Sequence, residues 1–269
     1  MVCLDFSILY AFSKVHKPLN SATMKKLYVL LFTAIFMVTS LSAQLHLFLE
    51  EQEIELEDSR SSAWVFPVAH DLDEALDDLK NYCKDRSGVK LKKDGENMMI
   101  AEKVSIPTIV TKRGDLIGYG FITEKYYGIA MIFQMGYDIS INSKDWEAEM
   151  KNFRNYSKSF MSYHYEQSYK RLVVELQKEI DTLEKQKGQA EKNINGLNNK
   201  VANLNKKIAK ETDEAKIEGY KAEIATLESD ISAQSDPLPD IQSQIDKIRE
   251  TVDNYNTELH TFQGAIGSF

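Results

Sequence analysis

The residues of this 269-residue chain that could do chemistry are few and poorly spaced for it. Beyond the first forty residues the histidines are His46, His70, His164 and His260. None lies three or four residues from another, the interval at which a helix presents two metal ligands on one side. The sequence contains no glycine-rich phosphate loop after a strand, no nucleophile elbow and no cysteine pair. No catalytic residue, metal site or cofactor is therefore expected, and the chain is read as a non-enzyme. Asp71, Asp73, Glu74, Asp77 and Asp78 crowd one short helix. Calcium sites draw oxygens from a loop with a glycine bend, so this cluster reads as a solvated face. Arg113-Gly114-Asp115 spells an integrin-binding tripeptide, but a tight turn prefers the same residues and is expected here. Asn155-Tyr156-Ser157 matches a glycosylation acceptor inside a predicted helix. Gly118 and Gly120, inside a predicted strand, read as a bulge.

Two further sets of residues invite a binding role. Tyr156, Phe160, Tyr163, His164, Tyr165 and Tyr169 cluster within fourteen positions. Such aromatic density either makes a hot spot for a protein partner or packs a neck against its own domain. Tyr156, Phe160, Tyr163, Tyr165 and Tyr169 are the candidate partner-binding residues. Met98, Met99, Met131 and Met135 lie on predicted strands, where they could line an adaptable apolar cavity for a small ligand or lipid.

The elements that must position these residues begin after an export signal. Lys25 and Lys26 precede the uncharged run Leu27 to Val38, and Ser40, Ser42 and Ala43 follow it. That is the pattern of a signal peptide, residues 24–43, cut after Ala43 or after Ser42. Residues 1–23 read as an upstream extension. The run is shorter than the roughly 20 residues of a spanning helix, so no membrane span is expected after cleavage. The compartment implied is extracytoplasmic: the periplasm of a Gram-negative bacterium, or the medium. The removed segment holds four of the 33 basic and one of the 41 acidic residues, leaving a net charge of −11. So negative a surface repels phosphate backbones, and nucleic acid is not an expected partner. Cys83 is the one cysteine left, so no internal disulfide can form. It sits on an apolar helical stripe and reads as a buried small hydrophobe.

Residues 44–165 read as an α+β head. Ala63 to Ala69 has strand character, with Pro67 suggesting an edge or an end. Asp71 caps a helix with Glu74 three positions on, and Leu72, Ala75, Leu76, Leu79, Tyr82 and Cys83 keep helical spacing up to Gly88. Val89 and Leu91 mark a strand, and Asp94-Gly95 a hairpin turn into Met98 to Ile106. Leu116 to Thr123 and Tyr127 to Ile139 are further strands. A helix from about Ser143 places Trp146, Met150, Phe153 and Phe160 on one face. The order β-α-β-β-β-β-α implies a small antiparallel sheet with two helices on one face. In this order, and in its export signal, the stretch from about 60 to 160 resembles small TBP-like domains of unknown function in bacterial envelope proteins. That resemblance implies an envelope location and carries over no functional residue.

Residues 166–262 read as a coiled-coil helical hairpin, followed by a tail at 263–269. Val173, Ile180, Lys187, Ile194, Val201 and Ile208 occupy heptad a positions. Tyr169, Leu176, Leu183, Ala190, Leu197 and Leu204 occupy d. A second seam runs from Ile217 to Phe262 in a different phase, which places a turn around Ala209 to Ala215 and an antiparallel return arm. One alignment sets Lys187 against Gln234; a seven-residue shift instead faces Lys207 with Glu223 and Lys200 with Asp230. Asp236 is expected to cap the restart of the return arm, with Pro237 at its first position. A parallel dimer of one continuous helix is the alternative architecture. The function expected is non-catalytic: protein contacts or self-association through the stalk, at the tip (Lys206 to Ile217) or the aromatic neck. Small-ligand binding by the head is the alternative. A hydrolase of cell-wall or secreted material has only the location in its favour.

Overall fold

The computed structural model describes residues 47–269 except 57–58, 70 and 137–138; the segment read as an export signal, His46 and His70 lie outside the described residues. Strands β1 (Glu50–Leu56), β2 (Ser59–Pro67), β3 (Lys92–Lys93), β4 (Met98–Ile106), β5 (Val110–Ile122) and β6 (Tyr127–Gln134) form one sheet. Every pairing is antiparallel, in the order β1-β2-β6-β5-β4-β3. Helix α1 (Leu72–Ser87) follows β2, and α2 (Glu147–Ile208), α3 (Glu214–Ser235) and α4 (Leu238–Gly267) complete the chain. The architecture is α+β with a C-terminal helical hairpin.

Strand alternation divides the apolar residues between the two faces of the sheet. Trp64, Phe66, Met99, Leu116, Ile129, Met131 and Phe133 lie on the face that the helices cover, and all are buried. Phe66 meets Phe160 and Phe133 meets Phe153 edge to face, which seats the first turns of α2 on the sheet. The opposite face carries a second cluster of Ala63, Val65, Ile117, Ala130 and Ile132, with Phe48, Met98, Ile100, Tyr119 and Phe121 packed around it. The methionines therefore do not share a cavity. Met99 and Met131 belong to the helix-side core, Met98 packs on the other face, and Met135 lies past the end of β6.

Several local expectations hold. The Asp71 carboxylate accepts the Glu74 N–H at 3.1 Å, and Gly88 ends α1 in the left-handed region at φ 67°. Gly95 turns the β3–β4 hairpin at φ 85°. Others are corrected. β1 was not expected: four glutamates in seven residues hide its two apolar positions, Ile54 and Leu56. Charge of this kind is what an edge strand carries to discourage further pairing. The strand expected at Val89 and Leu91 reduces to Lys92–Lys93, and the one expected to reach Ile139 stops at Gln134. Arg113-Gly114-Asp115 is not a turn but the interior of β5. The irregularity lies across from it in β4, where Lys103 takes φ 52° and donates its N–H to the Asp115 carboxylate at 2.6 Å. Gly118 and Gly120 mark no bulge, because pairing through them is regular. A Cβ at Gly118 would collide with Leu79 and one at Gly120 with Leu72, so they are glycines to let α1 approach the sheet.

The hairpin forms as the heptads imply. Every residue assigned to the two seams is half-buried or buried, and most of their neighbours on the outer faces are exposed. The turn spans 209–213, and Asp213 caps α3 by accepting the Ala215 N–H at 3.0 Å. Between α3 and α4 the expected cap is absent. Asp236 (φ −54°, ψ −40°) and Pro237 (φ −78°, ψ −12°) stay near helical geometry, leaving no extended residue to act as a cap. Pro237 and Pro239 fall where the new helix needs no N–H donor.

Candidate functional site

The densest convergence of polar and aromatic side chains is the neck, where α1 and the end of β2 meet the middle of α2 and the end of α4. Asp78 sits on the packed side of α1, three residues after Ala75 and four before Tyr82, all of them buried. This corrects the expected solvated face: Asp71, Asp73, Glu74 and Asp77 are exposed, but Asp78 is not. His164 Nδ1 lies 2.8 Å from Asp78 Oδ2, and its Nε2 accepts the Ala69 N–H at 3.0 Å. The acceptor role of Nε2 places the ring proton on Nδ1, where it is donated to Asp78. Arg171 grips the same carboxylate with both terminal nitrogens, at 3.0 and 2.9 Å, and donates Nε to Glu74 at 3.0 Å. Burial pushes the Asp78 carboxyl upward, but the bonds from His164 and Arg171 outweigh it and hold the group below the ordinary carboxylate range. The bond to Asp78 in turn raises the Arg171 guanidinium.

This constellation has the membership of an acid–base relay and the geometry of a structural tie. His164 is wholly buried and both ring nitrogens are engaged, so neither can reach a substrate proton. Cys83 is equally enclosed. The Tyr156 hydroxyl donates to its sulfur at 3.4 Å, and burial pushes the thiol up to about 11, away from nucleophilic thiolate chemistry. Asn155 is exposed, yet Tyr156 and Ser157 of the glycosylation triplet are buried within α2. Among the described residues no three His, Cys, Asp or Glu side chains converge as a metal site would require.

The aromatic candidates are placed around this tie. Phe160 and Tyr165 are fully buried, and Tyr156 and Tyr169 retain 7% exposure each. Tyr82 of α1 packs against Tyr156, Phe160 and Tyr163 with centroids 5.2–5.5 Å apart. Phe262 of α4 covers Tyr165 and Tyr169 at 5.1 and 5.8 Å, and Tyr255 meets Tyr169 edge to face. Burial raises the Tyr165 hydroxyl, and burial together with the nearby Glu258 carboxylate raises that of Tyr169. Lys158 donates to the carbonyls of Gly267 and Phe269 at 2.8 and 2.9 Å, fastening the C-terminus to the neck. Tyr163, half-buried, is the one candidate with appreciable exposure. Sequence reasoning missed the Asp78–His164–Arg171 tie; its signal was the phase of Asp78 on the apolar side of α1.

The neck also fixes the stalk's register. With Phe262 over Tyr165, Lys187 Nζ reaches Gln242 at 2.7 Å and Arg249 reaches Glu184 at 2.8 Å. Lys187 therefore does not face Gln234, and the seven-residue-shifted alignment is the one adopted. No family model, curated protein or solved structure matches this chain.

Proposed function

We propose that this is an exported, non-catalytic envelope protein that works through protein contacts of its helical stalk. The observation that carries this reading is the disposition of the two candidate surfaces. The neck aromatics are occupied by the chain's own α1 and α4, whereas the distal stalk projects beyond the head with its outer faces exposed. From Tyr169 to Ile208 that projection is about 58 Å at roughly 1.5 Å per residue. This length adds nothing to the head's core, and its ordering entropy is offset by its own seam, so the stalk is built for something other than stabilising the head. The signal-like segment at residues 24–43 and the acidic surface support an extracytoplasmic setting, as does the element-order likeness to TBP-like envelope domains. Enclosure of His164 and Cys83 supports the absence of catalysis by these groups.

The test is a shortened stalk. Residues 188–240 are replaced by a short loop, which keeps the Lys187–Gln242 contact and the whole neck. Cross-linking in intact cells followed by mass spectrometry should then lose the protein's interactions. An unchanged set of cross-linked partners would refute the reading. Amino-terminal sequencing of the mature protein should begin at Gln44 or Ala43; an intact Met24–Ala43 segment would refute export by cleavage.

A further inference from the structure

From Lys192 to Lys210 the first stalk arm carries five lysines and no acidic residue, in a chain whose net charge is −8. The arm beside it is the reverse: from Glu214 to Asp230 it carries five carboxylates and two lysines. The antiparallel register brings the two stretches to the same height, as Lys207 stacked 5.6 Å over the Tyr220 ring records. Little of this charge is neutralised locally. Lys192, Lys200, Lys206 and Lys210 are exposed and form no ion pair among the described residues, and neither do Glu214, Glu223, Glu228 and Asp230; the pairs in this region are Lys216–Glu211 and Lys221–Glu218. The distal stalk is therefore basic along one flank and acidic along the other.

We propose that this segment binds a second copy of itself side by side, the basic arm of each copy lying along the acidic arm of the other. A two-fold axis parallel to the stalk keeps the tips level and gives each lysine flank two carboxylate neighbours, an isologous arrangement. A polyanion fits less well, because it would meet the acidic arm within about 10 Å of the basic one. The stretch is about 28 Å long and, at two helices, about 20 Å wide, so the paired stalks bury roughly 1,100 Å² in total, at the low end of specific interfaces. Asn193, Asn195, Asn198, Asn199, Asn203 and Asn205 are all exposed there and supply hydrogen bonds rather than an apolar core. The pairing is thus reversible and salt-sensitive. It rests on the reading that the stalk is the contact surface, and names the occupant.

Light scattering on the full chain recovered from its host tests this. The expected result is a dimer mass in about 20 mM salt that falls to the monomer in about 1 M, where the screening length is roughly 3 Å. The K192E/K200E/K206E/K210E variant and the E214K/E223K/E228K/D230K variant should each be monomeric, with helicity checked by circular dichroism. Mixed in equal amounts, they should restore the dimer mass as a heteropair. A monomer in low salt, a dimer indifferent to salt, or no heteropair on mixing would overturn the proposal. Should either variant fail to fold, carbodiimide cross-linking of mixed ¹⁴N and ¹⁵N wild-type protein replaces it. Mixed-isotope Lys200–Asp230 peptides are expected, and same-isotope peptides alone would overturn the proposal. A monomer whose shortened stalk still loses its cellular partners would overturn the dimer while leaving the stalk-contact reading intact.

Discussion

Replacing Asp78 by alanine separates a structural tie from a solvated acidic face. In the wild type the carboxylate takes the Nδ1–H of a wholly buried histidine and two donors from Arg171. Arg171 is 38% exposed and already bonded to Glu74, so on losing Asp78 it turns to water and Glu74 at little cost. His164 cannot turn, because Nε2 is held by the Ala69 N–H and the ring is enclosed. A buried donor left without a partner costs about 1–3 kcal/mol, and the lost charge-assisted bonds add about 1.5–3 kcal/mol before relaxation. A net loss of about 3 kcal/mol is expected, and at 2–4 °C per kcal/mol a melting temperature lower by about 6–12 °C. Asp78→Asn keeps one acceptor for His164 but presents its amide hydrogens to Arg171, and should lose roughly half as much. Asp77→Ala, one position along and exposed, should fall within about 0.5 kcal/mol of wild type. Urea unfolding followed by fluorescence of Trp64 and Trp146 measures all three. Equal stability of the Asp78→Ala and Asp77→Ala proteins would refute the tie. The depressed Asp78 carboxyl adds a pH signature: its contribution is whole above the unfolded aspartate value of about 3.9 and fades as acid titrates the folded carboxylate below it.

Two glycine substitutions should move stability in opposite directions. Gly118→Ala drives a methyl into Leu79 and should cost about 1–3 kcal/mol, whereas Gly196→Ala adds it to open space on a helix and should gain about 0.5–1 kcal/mol. The register is checked by cysteine pairs: Lys187→Cys with Gln242→Cys should oxidise to an intramolecular disulfide, and Lys187→Cys with Gln234→Cys, about 12 Å displaced along the return arm, should not. At high pH the raised Cys83 thiol and the raised Tyr156 and Tyr165 hydroxyls must ionise for unfolding to be favoured. The thiol's contribution is whole below its ordinary value of 9.0 and is lost by about 11, and that of the hydroxyls fades only above the ordinary tyrosine value of 10.0, so the melting temperature should drop from about pH 9 upward, less steeply in Cys83→Ala. A flat profile would contradict their enclosure.

Long-period features were legible from the residues because each seam repeats its signal many times. Fourteen residues between Ile217 and Phe262 and twelve between Tyr169 and Ile208 all keep the expected side. Register was not legible, because a shift of one heptad preserves both seams and exposed charges are worth only about 0.2–1 kcal/mol per pair. What decides it is bulk at one end, the Phe262 and Tyr255 rings against Tyr165 and Tyr169. β1 was missed because an edge strand needs only one apolar face, and here two residues supply it. The Arg113-Gly114-Asp115 turn was misplaced because turn-forming residue types also suit a strand opposite a bulge. Counting acids on α1 hid Asp78, since composition ignores phase; helical spacing from Ala75 and Tyr82 would have found it.

The continuity of α2 gives these parts a common consequence. Its first half meets the sheet with a broad apolar face, and its second half meets α3 and α4 through a narrow seam, with no break in between. Tyr169 serves both regimes: it is the last aromatic of the neck and the first d position of the coil. A junction of this kind would swivel if only backbone joined the two parts. Here Arg171 ties the stalk's first turn to α1, and Lys158 with Phe262 ties its last turn to α2. Both arms are thus anchored within one turn of the head, on different elements. Bending the stalk must then break the part-buried Arg171–Asp78 pair or unstack Phe262 from two tyrosines, so the head's core constrains the direction of the stalk. A partner gripping the distal end, as proposed above, would be held about 58 Å from the neck, which suits a spacer rather than a flexible tether.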